Sequence, residues 1–302
     1  MTAEIHITER PPQCVTALLL LASFASSCAH PEIQPASIEI LQNREYSTTE
    51  RSYVLSAHNP SYFLTTYNSK FDPEIYAPLG DEAILNGQKE EVKFQLSMKF
   101  PVWQNVFNDS SDLYLGYTQV SFWQIFSDSE ALSRPFRETN YQPELFLRNY
   151  MKTPLPFGGE LKGLDVGINH QSNGQTLELS RSWNRLMVRA AADYGNLAFL
   201  GRAWYRLPES DEDDENPNEY RYLGYGDLRA IWNEDGGHTI SAMVRPSTLS
   251  AAVELTWSYP IADQLRVYLQ WYNGYAENLF EYDRRTNRFG IGIAVTDWLI
   301  GD

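Results

Sequence analysis

Three residues with the chemistry of acyl transfer stand in the stretch 163–193, GLDVGINHQSNGQTLELSRSWNRLMVRAAAD: His170, Ser172 and Asn184. A hydroxyl nucleophile, an imidazole base and a group that orients the base are the parts of a hydrolytic site that works through an acyl intermediate. The spacing unites them if the stretch is two strands joined by a loop. In the first strand Leu164, Val166 and Ile168 alternate with Asp165, Gly167 and Asn169, so His170 and Ser172 fall in line with the apolar residues. In the second, Asn184 runs with Leu186, Val188, Ala190 and Ala192, opposite Arg185, Arg189 and Asp193. Antiparallel pairing with Ser172 facing Ser182 then sets His170 directly across from Asn184. The alternative, two idle polar residues at a strand end, leaves the shared register of Asn184 unexplained.

A soluble hydrolase keeps such groups in a cleft, yet here they share an apolar face while the opposite face is charged. That inversion fits a membrane β-barrel with a lipid-facing wall and a polar lumen. The mean hydropathy of −0.42 and the lack of a long apolar run argue against membrane helices. Alternating segments recur at Glu91 to Phe100, Leu113 to Ile125, Tyr141 to Tyr150, Leu197 to Leu207, Tyr220 to Trp232, Ala251 to Tyr259, Arg266 to Asn273 and Phe289 to Val295. With weaker segments included, the expected fold is all-β: a transmembrane antiparallel β-barrel of about twelve strands, an even number suited to closure. Aromatic pairs near strand ends, Trp204 and Tyr205, Trp257 and Tyr259, and Trp271 and Tyr272, read as girdles at the membrane interfaces.

The 302 residues divide on this reading into a signal peptide at 1–29, an N-terminal periplasmic arm at 30–59 and the barrel at 60–302. The signal rests on Arg10, the apolar Val15 to Ala25 and the small residues before Ala29, with cleavage there favoured over lipidation of Cys28. Cys14 and Cys28 are the two cysteines, so the remaining chain has no disulfide or thiolate metal site. A net charge of −15 argues against a nucleic-acid partner. The acidic run 208–219, PESDEDDENPNE, reads as a solvated loop, with a weak calcium site as the alternative. On the strand from Leu113, Gln119 falls on the apolar face, where an amide needs a partner. A second copy of the barrel could provide it.

The chain resembles outer membrane phospholipase A of Gram-negative bacteria. The resemblance rests on YTQVSFWQ at Tyr117 to Gln124, RPFRETNYQPELF at Arg134 to Phe146, GINHQSNGQ followed by SRSWNRL, and ELTWSYPI at Glu254 to Ile261. It implies a twelve-stranded barrel of the outer membrane with its site on the outer wall. It also implies cleavage of glycerophospholipids at sn-1 and sn-2, with lysophospholipid turnover. The nucleophile falls on Ser172, the base on His170 and the orienting amide on Asn184. An ionised aspartate on a lipid-facing wall would carry a desolvation cost of several kcal/mol, which a neutral asparagine avoids.

The resemblance further implies Ca²⁺ bound between two subunits of a homodimer. Its ligands would be the Ser180 hydroxyl and the Gln175 backbone carbonyl of one chain, with the Ser133 backbone carbonyl of the other. The family's arginine after HxSNG is Gln175 here, a change that a backbone ligand tolerates. A second calcium site is not expected, because Leu177 stands at one of its acidic positions, with Glu215 at the other. The rival reading is a non-catalytic barrel, a pore or structural protein with a vestigial site. Arg185, Arg189, Asp193, Arg202, Arg206 and Glu254 on the expected lumen face point instead to a filled barrel.

Overall fold

In the computed structural model, residues 55–298 are described, apart from 75–76, 78–79, 81–84, 211, 213 and 235–236. The expected signal segment, both cysteines, the arm up to residue 54 and the last four residues lie outside the described residues.

A two-residue strand, β1 (Ser56–Ala57), precedes β2 (Ser61–Asn68), β3 (Glu90–Trp103), β4 (Ser111–Trp123), β5 (Glu138–Pro154), β6 (Glu160–Ser172) and β7 (Ser182–Tyr194). Then follow β8 (Leu197–Arg206), β9 (Gly226–Asn233), β10 (Thr239–Pro246), β11 (Ala251–Ala262), β12 (Leu265–Tyr275) and β13 (Arg285–Thr296). From β2 to β13 each strand pairs antiparallel with the next, and β13 returns to β2 with Phe289 opposite Tyr67 and Ile293 opposite Phe63. Twelve strands therefore close into a barrel without a free edge, as the alternation predicts. β1 pairs with Lys99 and Met98 of β3, and His58 just beyond it turns inward to meet Glu144 and Arg189.

Burial is inverted relative to a soluble protein. Met98, Leu115, Ile168, Leu186, Val244 and Ile291 are exposed, whereas Glu91, Lys93, Asp165, Arg185 and Arg288 are buried. Buried charges are tolerated when they are paired and hydrogen-bonded, and here they are. Arg137 grips Glu91 with two bonds of 2.7 Å, and Arg288 joins Glu91 to Glu277 at 2.7 and 2.8 Å. Arg148 holds Asp165 with two bonds of 2.8 Å, Arg189 meets Glu144 at 2.7 Å, and Arg202 meets Asp227 at 2.6 Å. The lumen is filled by this network. A cavity of about 110 Å³, lined by Gln171, Arg185 and Asp227 among others, has room for waters.

The connections between strands differ in length between the two ends. Residues 69–89, 124–137, 173–181, 207–225 and 276–284 form long loops at one end, with the four-residue turn 247–250 beside them, while 104–110, 155–159, 195–196, 234–238 and 263–264 form the short turns of the other. Barrels of this type place long loops outside the cell. The strand ends carrying Ser172 and Ser182 adjoin the long-loop end.

Two expectations need correction. The segment Tyr220 to Trp232 is not one strand: Tyr220–Leu223 is a short helix, and the strand starts only at Gly226. Leu223 packs at the lumen mouth with Trp183, Met187, Trp204 and Leu279. Gly224 then reverses the chain at φ +67, where a Cβ would lie 2.0 Å from the Pro246 carbonyl oxygen. Two of the three aromatic pairs also contribute half of what was expected to a girdle. Neighbours on a strand face opposite ways, so Tyr205 and Trp271 point outward while Trp204 and Tyr272 are buried.

Candidate active site

β6 and β7 carry the three residues, and their register is the one anticipated: Ser172 faces Ser182 and His170 faces Asn184. His170 Nδ1 lies 2.9 Å from Asn184 Oδ1. An amide oxygen only accepts, so Nδ1 carries the proton and Nε2 keeps its lone pair. That leaves Nε2 as the basic atom, with the hydroxyl of Ser172 two residues further along the same face. Exposed Ile168 and Leu186 form the next rung below, so these groups sit on the apolar wall and not in the lumen.

The register is pinned from the lumen side. The inward neighbours of His170 are Asn169 and Gln171, and those of Asn184 are Trp183 and Arg185. Arg185 donates to Asn169 Oδ1 and, at 3.0 Å, to Gln171 Oε1, which also accepts the Trp183 indole N–H at 3.0 Å. Arg185 lies over the Trp183 ring at 3.9 Å, a favourable cation–π contact. A slip of one residue would break all of these and turn His170 into the lumen.

Beyond Ser172 the loop 173–181 is clamped by one buried side chain. Asn173 Oδ1 accepts from the backbone N–H of Gln175 at 3.3 Å and of Arg181 at 3.0 Å, and its amide donates to the Leu179 carbonyl at 2.8 Å. Gln175 and Ser180, the two calcium ligands expected from a single chain, are thus held in one small loop. A carbonyl and a hydroxyl are donors of the type that Ca²⁺ takes. Ser133 is elsewhere, at the end of the short helix α1 (Glu130–Ser133), and its carbonyl accepts the Trp123 indole N–H at 2.7 Å. A carbonyl has two lone pairs, so one remains for a ligand. Among the described residues no group of three or more His, Cys, Asp or Glu side chains gathers as a metal site.

The acidic loop is tied to the protein rather than free in solvent. Arg206 pairs with Glu209 and Asp214 and donates to the Asn216 carbonyl. Asn216 in turn donates to Glu219. Burial pushes the Glu219 carboxyl up to about 8, with Arg185 and Arg206 acting against that shift. Glu209 makes a contact that sequence reasoning missed: its Oε1 accepts from Asn184 Nδ2 at 3.2 Å. Nothing in a run of seven acids distinguishes this one. Within the single chain Gln119 finds partners on its own strand. It accepts from the Tyr117 hydroxyl at 2.9 Å and donates to the Ser121 hydroxyl at 3.0 Å.

Residues 38–295 match the family model of phospholipase A1. The chain belongs to that family. The phospholipase A1 of Escherichia coli K12 is 37% identical over 82% of this chain and 83% of its own length, and that of Klebsiella pneumoniae is 35% identical over 94% and 96%. A putative phospholipase A1 of Neisseria meningitidis is 36% identical over 80% of this chain, a match spanning 65% of that protein. Among solved structures, outer membrane phospholipase A from E. coli superposes with a TM-score of 0.76 at 37% identity, covering 82% of this chain and all of the other. The calcium-bound dimer of the Salmonella typhi enzyme gives 0.76 at 35% identity, covering 82% and 94%. An E. coli active-site variant with asparagine replaced by alanine gives 0.75 at 37%, covering 81% and 93%. The protein is accordingly an outer membrane phospholipase, an integral β-barrel of the Gram-negative envelope.

Proposed function

We propose that this phospholipase hydrolyses the acyl esters of glycerophospholipids, at sn-1 and sn-2, and of lysophospholipids through Ser172, His170 and Asn184, in a calcium-dependent dimer. The observation that carries the reading is the 2.9 Å contact from His170 Nδ1 to Asn184 Oδ1 on the lipid-facing wall. An acyl chain lying against that wall brings its ester to the level of Ser172 without leaving the membrane. His170 Nε2 takes the proton as Ser172 Oγ attacks the acyl carbon. The ester C–O bond breaks, the proton passes to the leaving glycerol oxygen, and water then releases the fatty acid by the same steps in reverse. Asn184 holds the imidazole and accepts from it throughout.

The donor set of Ser180 and Gln175, with Ser133 of a second copy, fits Ca²⁺. Bound there, it would polarise the ester carbonyl and offset the charge that develops on its oxygen. The S. typhi relative, a calcium-bound dimer, supports both the metal and the pairing. The outer face that carries Gln119 is where two copies would meet. Residues 1–29 serve on this reading as the signal segment and those from 30 up to β1 as a periplasmic arm, while Ser56 to Asn59, expected in that arm, belong to the barrel.

The test is fatty-acid release from phospholipid–detergent micelles by refolded protein, with calcium or with chelator, beside Ser172→Ala. Release that needs calcium and vanishes in the variant is the expected result. A folded, dimeric wild type that releases nothing with calcium present would return the protein to a non-catalytic barrel.

A further inference from the structure

Resting on that reading of the site, we propose that Glu209 is a positioning residue acting on His170 through Asn184. Asn184 stands between two partners: its Oδ1 is 2.9 Å from His170 Nδ1 and its Nδ2 is 3.2 Å from Glu209 Oε1. The donor and acceptor inventory makes this sandwich directional. A carboxylate only accepts, so the amide nitrogen must face Glu209 and the amide oxygen must face the histidine. Without Glu209 the amide is free to turn over and offer its NH₂ to Nδ1. The imidazole proton would then move to Nε2, the atom that must be free to take the serine proton.

The fold builds this contact deliberately. The β7–β8 ladder ends with Arg185 opposite Arg206, and one further backbone bond runs from the Leu207 N–H to the Asn184 carbonyl at 2.8 Å. Glu209 follows two residues later, at the rim where β8 passes into its loop. Arg206 steadies it, with Nη2 3.3 Å from Glu209 Oε2, and is itself held by Asp214 and the Asn216 carbonyl. The Glu209 side chain retains 18% of its exposure, so the charge stays hydrated instead of entering hydrocarbon. The arrangement answers a problem posed by the wall. A neutral amide touches the histidine at the lipid face, and a carboxylate one step behind it, in the loop, polarises that amide as imidazolium forms.

The experiment compares refolded wild type, Glu209→Ala, Glu209→Gln, Asn184→Ala and the double variant Asn184→Ala/Glu209→Ala in the micelle assay with saturating calcium. Glu209→Ala should lower kcat by about tenfold with KM unchanged. Glu209→Gln keeps an acceptor but not the charge, so it should recover part of kcat, again with KM unchanged. In the Asn184→Ala background Glu209→Ala should change nothing, because the relay is already cut. Equal losses in both backgrounds, or an unchanged kcat in Glu209→Ala, would overturn the proposal. So would a shifted calcium midpoint in Glu209→Gln, which would make Glu209 a metal ligand. An inactive wild type would sink the underlying reading instead, and Ser172→Ala run in parallel separates the two failures.

Discussion

Replacing Asn184 with alanine isolates what the amide contributes to the base. In the resting state His170 Nδ1–H meets a neutral oxygen at 2.9 Å, a bond worth about 1 kcal/mol net. As the serine proton arrives the ring becomes imidazolium, and a charge-assisted bond is roughly twice as strong. The ring also loses the contact that fixes its tautomer. Both groups are only partly buried, so water can replace some of the bond and the penalty stays below that of a fully orphaned donor. Together these set the cost at about 2–3 kcal/mol, or a fall in kcat of roughly 30- to 150-fold. KM should hold within about twofold, since Asn184 acts on His170 and not on the lipid. Fatty-acid release at saturating calcium, measured against micellar substrate concentration, separates the two constants. Ser172→Ala gives the floor, more than about a thousandfold below wild type. A loss under about threefold would remove Asn184 from the mechanism, and a loss equal to the floor would show that it does more than hold the ring.

Two further outcomes follow from the structure. Gln119→Ala should weaken self-association in detergent, because the outer face loses a side chain able to exchange its Tyr117 and Ser121 partners for those of a second copy; an unchanged sedimentation profile would locate the interface elsewhere. Glu277, in the loop after β12, answers Lys93 at 2.9 Å and Arg288 at 2.8 Å. Burial pushes its carboxyl up, but Arg288 and Lys93 outweigh this and hold it down at about 2. A depressed folded value means stability that is complete above the unfolded value of 4.5 and is lost as pH falls towards 2. At about 1.4 kcal/mol per pH unit that is on the order of 3 kcal/mol. Urea midpoints of the refolded barrel should drop over this window in wild type, and Glu277→Gln should start lower and drop less. Parallel curves for the two proteins would refute the assignment.

The barrel was legible because its physics is periodic. Glu91 to Phe100 alternates so cleanly that only a strand with unlike faces fits, and the β6–β7 register follows from two such patterns sharing a polar triplet. What escaped was non-periodic. Tyr220 to Leu223 keeps the look of a strand, yet Leu223 is drawn into the lumen mouth by Trp183 and Trp204 from other strands. The local partners of Gln119, Tyr117 and Ser121, lie two residues away on the same face and were not anticipated. Glu209 was hidden among acids, since which of them reaches Asn184 depends on where β8 ends. Thr239–Pro246 was not singled out, being short, although Ile240 and Val244 do face outward as an alternating strand requires.

Placing the chemistry on the outer wall makes the lumen its foundation. A side chain facing lipid has no packed shell of its own, so its position depends on the backbone beneath it. That backbone is locked from inside: Asn169 and Gln171 flank His170, Trp183 and Arg185 flank Asn184, and the four are bonded across the strands. Arg189 and Arg148 extend the lock to Asp165 and Glu144 further down. Such buried ion pairs add little net stability over an apolar core, but breaking one leaves an uncompensated charge. Their value here is the penalty they impose on any other register. A wide, water-filled pore would relax that penalty, because water would satisfy the freed charges. A catalytic wall therefore favours a filled barrel, and a plugged lumen is a requirement of this site as well as a barrier to leakage.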